Sequence, residues 1–202
     1  MIRRSSFSGM ADTLRRASYR LRYGKFGHLG RGIRISPRAT IENPGNLYIG
    51  NGSRIEEYCL LRLSGSGEVR IGANCYIGRM TEILDAGGFV HLSDQVQLGG
   101  GNFVTGQGGL EIGSAALIAP GVSIVANQHT FSDKDTPIRY QPERSKGIVI
   151  GGNGWIGVGA TILDGVRVGD HVVIGANSVV TKSVPSYCVV AGVPARILRE
   201  IE

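Results

Sequence analysis

The chain has few cysteines, few aromatic residues and no long apolar run. Aromatic residues make up 6% of the 202 residues, and the three cysteines, Cys59, Cys75 and Cys188, lie far apart without a CxxC pair. This pattern argues against a disulfide framework and against a structural zinc site, and it favours a reducing, cytoplasmic compartment. No stretch reaches the roughly 18 apolar residues of a membrane-spanning helix. No apolar stretch of signal-peptide length follows the basic N-terminus.

Proline is also scarce, with 7 residues, whereas glycine is abundant, with 32. Each glycine inside a helix costs about 1 kcal/mol relative to alanine, so a helical bundle is disfavoured. Collagen is excluded because glycine does not occupy every third position.

The positive charge is concentrated at the N-terminus. The chain carries +6 in total, but residues 1–34 contain nine basic residues and a single acid, Asp12, so the remainder is slightly acidic. We predict a basic leader, residues 1–32, that is partly helical. Three roles stay open for it: a cap on the end of the body, a membrane-surface helix, or a clamp on an anionic acceptor. Nucleic acid is not an expected partner, because no reading motif is present. Apolar residues recur in the leader at helical spacing, at Met10, Leu14, Ala17 and Leu21.

The body has an internal repeat of six residues. Such a period fits neither a helix nor a uniform strand, but it fits short strands separated by turns, three of which close a coil of about 18 residues. Stacked coils bury the repeated aliphatic residues, so the sequence predicts an all-β parallel β-helix over residues 33–185. The repeat is clearest at Ile150, Ile156, Ile162, Val168, Ile174 and Val180, and earlier at Ile71, Ile77, Ile83 and Phe89 and at Ile112, Ile118 and Ile124.

Two segments interrupt this period. The first, residues 125–149, is polar and predicts an excursion loop, because insertions in solenoids become loops on the binding face. The second, a glycine-rich stretch from Val90 to Leu110, either brings Asn102 near a ligand or forms an irregular coil. We predict that residues 186–202 form an extension with a short C-terminal helix.

His129 is the histidine at the root of the excursion loop. A neutral imidazole can remove a proton from a hydroxyl near neutral pH, as acyl transfer to an alcohol requires. His129 is therefore a candidate general base, and a structural role stays open for it at this point.

Four ordered motifs resemble the hexapeptide-repeat acyltransferases, in particular sugar O-acetyltransferases related to the maltose and galactoside enzymes. They read IGSAALIAPGVSIVANQHTFSD, NGWIGVGATI, GANSVVTKSVP and AGVPARIL. The resemblance implies a left-handed β-helix, and it implies acetyl transfer from acetyl-CoA to a sugar hydroxyl with His129 as the base. The expected acceptor is a bacterial surface-polysaccharide or glycolipid precursor.

The same resemblance implies a homotrimer with active sites between subunits. The cysteine and histidine patterns predict no required metal and a cytoplasmic location, and the basic leader would suit the inner face of the membrane. The resemblance assigns an acceptor contact to Asn102. Trp155 is predicted to flank the acceptor site, and the alternative that it packs against the loop or a neighbouring subunit stays open. The resemblance assigns coenzyme A contacts to Ala176, Thr181, Lys182 and Arg196.

Alternative functions stay open at this point. An N-acetyltransferase acting on an amino sugar or a xenobiotic also needs a base, and a non-catalytic β-helix scaffold would share the fold. A zinc-dependent carbonic anhydrase of the same fold is disfavoured, because it needs three histidine ligands, two of them closely spaced.

Overall fold

Short parallel strands wind into a solenoid of about seven turns with three flat faces. The structure, a computed structural model, describes residues 4–202, with side chains from residue 9 onwards; Arg3 of the predicted leader lies outside the described residues. Each coil contributes one strand to each face, here named A, B and C in chain order. The predicted all-β parallel β-helix is confirmed.

The strands of face A are β1 (His28–Leu29), β4 (Leu47–Ile49), β7 (Glu68–Ile71), β10 (Phe89–Leu92), β13 (Leu110–Ile112), β18 (Ile148–Ile150) and β21 (Arg167–Val168). Face B holds β2 (Arg34–Ile35), β5 (Arg54–Ile55), β8 (Tyr76–Ile77), β11 (Gln97–Leu98), β14 (Leu117–Ile118), β19 (Trp155–Ile156), β22 (Val173–Ile174), β24 (Cys188–Gly192) and β25 (Ala195–Glu200). Face C holds β3 (Thr40–Glu42), β6 (Leu60–Arg62), β9 (Glu82–Leu84), β12 (Phe103–Thr105), β15 (Ser123–Val125), β20 (Thr161–Leu163) and β23 (Val179–Val180).

The repeated aliphatic residues form the core, as the period predicts. Strand pairing in register stacks Ile118 on Ile156 and Ile156 on Ile174, and all three side chains are buried. Burying one such side chain contributes about 1.5–3 kcal/mol to folding. Because each side chain contacts only the coils directly above and below it, a coil is stable only when it is stacked between its neighbours.

The predicted coil length holds only near the C-terminal end. Ile150 pairs with Val168, eighteen residues later, whereas Val69 pairs with Val90, twenty-one residues later. The extra residues displace the phase, so Val90 faces the core and Phe89 lies on the outer surface opposite Glu68. The expectation that Phe89 continues the inward repeat is therefore wrong. The glycine-rich stretch from Val90 to Leu110 continues the solenoid as a full coil.

Tight corners explain the glycine content. A Cβ atom on Gly50 would lie 2.5 Å from the carbonyl carbon of Gly72 in the next coil, which is closer than atoms can approach. A corner of this kind accepts only glycine, because neighbouring coils stack backbone on backbone at that point.

A helix, α1 (Arg4–Tyr23), closes the open edge of the first coil. The Asp12 carboxylate accepts the N–H of Gly32 at 2.9 Å. Tyr19 Oη accepts the N–H of Ile35 at 2.9 Å, and Tyr23 Oη donates to the carbonyl of Ala39 at 3.1 Å. These side chains replace the backbone partners that a preceding coil would supply, which agrees with the capping role considered for the leader. Within residues 4–202, no helix is long and apolar enough to cross a membrane.

The predicted C-terminal helix is wrong. Residues 188–200 instead form an antiparallel hairpin of β24 and β25, in which Gly192 pairs with Ala195. The hairpin supplies β24 with a second hydrogen-bonded neighbour at the end of face B, which a helix could not do. Three valines and one isoleucine in this segment are β-branched and suit a strand.

Candidate active site

The excursion leaves the solenoid at the corner between faces C and A, after β15, and returns at β18. The coils on either side fasten both of its roots. Ala126 N–H donates to Thr105 Oγ1 at 3.1 Å, and the Asp164 carboxylate accepts the N–H groups of Lys146 and Gly147 at 2.9 Å. The excursion therefore starts and ends on rigid backbone.

Its own interior is also ordered. The buried Gln141 side chain donates to the carbonyls of Asp133 and Thr136 at 2.7 and 2.8 Å and accepts the N–H of Asp133 at 3.1 Å. A single turn of 3-10 helix, Ile138–Tyr140, precedes it. The Gln141 carboxamide thus holds the tip of the loop in place by hydrogen bonds, without an apolar core.

Two short strands in the excursion, β16 (Gln128–His129) and β17 (Glu143–Arg144), pair antiparallel and place His129 opposite Glu143. Nε2 of His129 lies 3.4 Å from Oε1 of Glu143, and the His129 side chain is 51% exposed. The ring is therefore held beside a carboxylate and is open to a ligand.

A residue of the solenoid fixes that carboxylate. Gln107 Nε2 donates to Glu143 Oε2 at 2.6 Å. This hydrogen bond, together with one from Asn127 and the nearby His129, holds the pKa of Glu143 below its usual value. Gln107, Glu143 and His129 thus form a chain that leads from the solenoid to the imidazole.

The imidazole opens onto a cavity of about 260 Å³ at this corner. Arg144 and Lys146 line the cavity, and within residues 9–202 neither forms an ion pair. Asp164 also lines it, but its carboxylate is engaged by the backbone N–H groups of Lys146 and Gly147. Two basic side chains thus face one carboxylate among the lining residues, which leaves a formal excess of one positive charge.

The residues predicted to bind coenzyme A are all exposed, and they lie towards the C-terminal end of the solenoid. Thr181 and Lys182 follow β23 at the same corner as His129, two coils further on, which is about 10 Å at the usual strand spacing. Ala176 lies in the turn after β22, and Arg196 lies on the edge strand β25.

The structure separates the two predicted acceptor residues from His129. Trp155 lies on face B, in a groove of about 500 Å³ that Leu117 and Val173 also line. Asn102 is 1% exposed, and its carboxamide accepts the N–H of Val122 and donates to the carbonyl of Gly99. The structure therefore gives Asn102 a role inside the corner between faces B and C.

Sequence reasoning missed Glu143, Gln107, Arg144 and Lys146. Thirty-six residues separate Gln107 from Glu143, and no motif joins them. Only the antiparallel pairing within the excursion places Glu143 beside the histidine.

The described residues offer little support for a metal site or a cysteine nucleophile. No group of three or more histidine, cysteine or acidic side chains with the geometry of a metal site occurs in residues 9–202. The cysteines are buried, and burial raises the pKa of the Cys59 and Cys75 thiols. Such thiols are poor nucleophiles, because the thiolate is the reactive form.

No family model matches the chain. It is 33% identical over 150 residues to a putative lipopolysaccharide biosynthesis O-acetyl transferase of Escherichia coli strain K12, and the match covers 70% of this chain and 76% of that protein. It is 45% identical over 91 residues to the galactoside O-acetyltransferase of the same strain, over 45% of this chain and 43% of that enzyme.

A solved structure adds to these matches. A mutant of AntD, an N-acyltransferase from Bacillus cereus, in complex with dTDP-4-amino-4,6-dideoxyglucose and Coenzyme A, aligns with a TM-score of 0.64 at 26% identity. The alignment covers 92% of this chain and 89% of that one. Coenzyme A, the predicted cosubstrate, is thus bound by a solved relative. Together these findings establish that the chain belongs to the hexapeptide-repeat acyltransferases, which are enzymes with a left-handed parallel β-helix fold.

Proposed function

We propose that this enzyme transfers an acetyl group from acetyl-CoA to a hydroxyl of a sugar, with His129 as the general base. The observation that carries the proposal is the chain of Gln107, Glu143 and His129, which holds a half-exposed imidazole at the wall of the cavity. A base needs this combination of fixed orientation and access to the acceptor.

The chemistry of the chain's own residues follows from that geometry. Glu143 faces Nε2, which favours the tautomer protonated there and leaves the Nδ1 lone pair free to accept the hydroxyl proton. The Glu143 carboxylate then stabilises the imidazolium, in the manner of the acid in a catalytic triad. When bound, acetyl-CoA supplies the activated acetyl thioester. The imidazolium afterwards returns the proton to the leaving thiolate.

The charge of the cavity supports an anionic acceptor. Arg144 and Lys146 lie beside His129 without ionic partners among residues 9–202. A nucleotide-linked or lipid-linked sugar carries phosphate groups that such side chains bind well. This favours a precursor of a surface polysaccharide or glycolipid over a free neutral sugar.

The donor site fits coenzyme A in composition. Exposed Lys182 and Arg196 suit its phosphates, and the small, exposed Ala176 and Thr181 leave room for the linear pantetheine arm. Trp155 lies on another face of the same chain. We therefore propose a homotrimer in which face B of one subunit meets the excursion corner of the next, so that donor and acceptor residues come together between subunits. Asn102 is left out of this acceptor site, because its carboxamide is already bound.

A second candidate is N-acyl transfer to an amino sugar. It is favoured by the similarity to AntD, whose solved complex contains an amino-sugar nucleotide. An amine that attacks a thioester also loses a proton to a base, so His129 would serve both reactions.

The test is release of free thiol from acetyl-CoA with matched acceptor pairs. Each acceptor is supplied in two versions that carry a hydroxyl or an amine at the same carbon. Both versions are tested as the free sugar and as the nucleoside diphosphate sugar. We expect turnover with hydroxyl acceptors and a lower KM for the phosphorylated forms. Turnover confined to the amines would replace the O-transfer proposal with the second candidate.

Two variants sharpen the assay. Lys146→Gln should raise the KM of phosphorylated acceptors and leave the KM of acetyl-CoA unchanged. His28→Ala, which alters an exposed histidine on the first coil, is the matched control for His129→Ala and should keep full activity. An absence of turnover with every acceptor, combined with no binding of coenzyme A by calorimetry, would refute the proposed activity.

A further inference from the structure

The outward face of α1 is apolar although no part of the solenoid covers it. Met10, Leu14 and Leu21 are 59%, 65% and 91% exposed. At 100° per residue, these positions and Ala17 fall on one narrow stripe, here called the outer stripe. A helix that only caps a solenoid needs a polar outer face for solubility, so the cap alone does not explain this stripe.

The opposite side of the helix is already satisfied. Asp12, Tyr19 and Tyr23 bind backbone groups of residues 32–39, all of them in the first coil. Arg22 also donates to the carbonyl of Pro37. The inner face therefore holds the helix across the end of the solenoid, and the outer stripe points away from the molecule.

Basic residues flank the stripe on both sides. At helical spacing Arg20 lies on one side and Arg22 on the other, and exposed Lys25 follows the helix. Among residues 9–202, no basic residue of the helix forms an ion pair. The single acid, Asp12, is turned inward to Gly32. A narrow apolar stripe flanked by cations that form no ion pair has the composition of helices that lie in a membrane interface.

We propose that α1 docks this end of the molecule on an anionic lipid surface, with the outer stripe in the interface and Arg20 and Lys25 on the lipid phosphates. A second copy of the chain fits less well, because facing stripes would bring the arginines of both helices together. The acceptor pocket is also not the partner. The helix covers the first coil, whereas the excursion leaves the fifth, about 20 Å away at the usual coil spacing.

The experiment is co-sedimentation of the full chain with lipid vesicles. Neutral phosphatidylcholine vesicles are compared with vesicles that contain about one third phosphatidylglycerol, over a series of salt concentrations. We expect binding to the anionic vesicles that weakens as salt rises, and little binding to the neutral ones. The double variant Leu14→Gln/Leu21→Gln should lower the partition constant by about tenfold or more, and Arg20→Gln should lower it only on anionic vesicles.

The matched control makes the same change at the other end of the solenoid. Ile197→Gln/Leu198→Gln alters two exposed apolar residues of β25 and should leave vesicle binding unchanged. The stripe variant should keep the thermal midpoint and the rate on a free sugar nucleotide, because the stripe touches neither the core nor the cavity. Equal binding to neutral and anionic vesicles, no binding to either, or a smaller oligomer in the stripe variant would each overturn the proposal.

Discussion

The solenoid and the excursion are built by opposite means. In the solenoid, each coil repeats the same few aliphatic contacts, and its stability comes from buried area. In the excursion, residues 126–147, the loop is held by individual polar contacts, such as those of Gln141, Asp164 and Gln107. A repetitive scaffold can therefore present a non-repetitive site without giving up its own core. Changes in one region should alter stability, and changes in the other should alter rate.

The largest effect should come from the excursion. His129→Ala removes the proposed base and should lower kcat by roughly 10²–10⁴. Because the side chain is half-exposed and outside the core, the thermal midpoint should stay within a degree or so of the parent. Thiol release measures kcat, and a thermal scan of the same preparation measures the midpoint. A mutant with parental kcat would show that the histidine is structural.

A substitution in the core should lower stability and leave the rate nearly unchanged. Ile118 is buried between Leu98 and Ile156 on face B. Ile118→Ala should lower the free energy of unfolding by about 2–5 kcal/mol, through lost burial and a residual cavity. The urea midpoint measures this loss, while kcat at a temperature well below that midpoint should hardly change. A large fall in kcat without a shift in the midpoint would contradict the division between the two regions.

A smaller effect should come from the residue that positions the base. Glu143→Gln should lower kcat by about tenfold and leave the KM of acetyl-CoA nearly unchanged, because the carboxylate orients His129 and stabilises its protonated form. Gln107→Ala should give a weaker loss of the same kind. Both act through one carboxylate, so the double variant should be no slower than Glu143→Gln alone. Additive losses would mean that Gln107 affects the rate by another route.

The smallest effect concerns acid stability of the solenoid surface. The Arg70 guanidinium donates to Glu68 at 2.6 and 2.9 Å, and with His91 it lowers the pKa of Glu68 from its ordinary 4.5 to about 2. A depressed carboxyl pKa contributes stability that is present above the ordinary value and is lost as the pH falls towards the folded value.

Glu68→Gln should therefore remove part of the fall in thermal midpoint between about pH 4.5 and about pH 2. It should change kcat little, because face A carries no residue of the proposed site at this position. An unchanged acid profile would show that the ion pair contributes no net stability, as is common for exposed pairs.

Much of the fold could be read from the six-residue period, because aliphatic residues at fixed spacing have one way to be buried together. The prediction failed where another requirement decided the local structure. Phe89 lies outside because the coils before it are longer than eighteen residues, and residues 195–200 form a strand because the open edge of face B binds a partner. Neither the coil length nor the open edge is visible in a local pattern.

The sequence by itself determined the solenoid, the position of the excursion and the histidine at its root, since each depends on spacing along the chain. The tertiary structure decided which residues surround that histidine. Glu143 meets His129 only through antiparallel pairing, and Gln107 reaches Glu143 only because an earlier coil stacks beneath the loop. Contacts of this kind join residues that are distant in sequence, and they arise from how the coils stack.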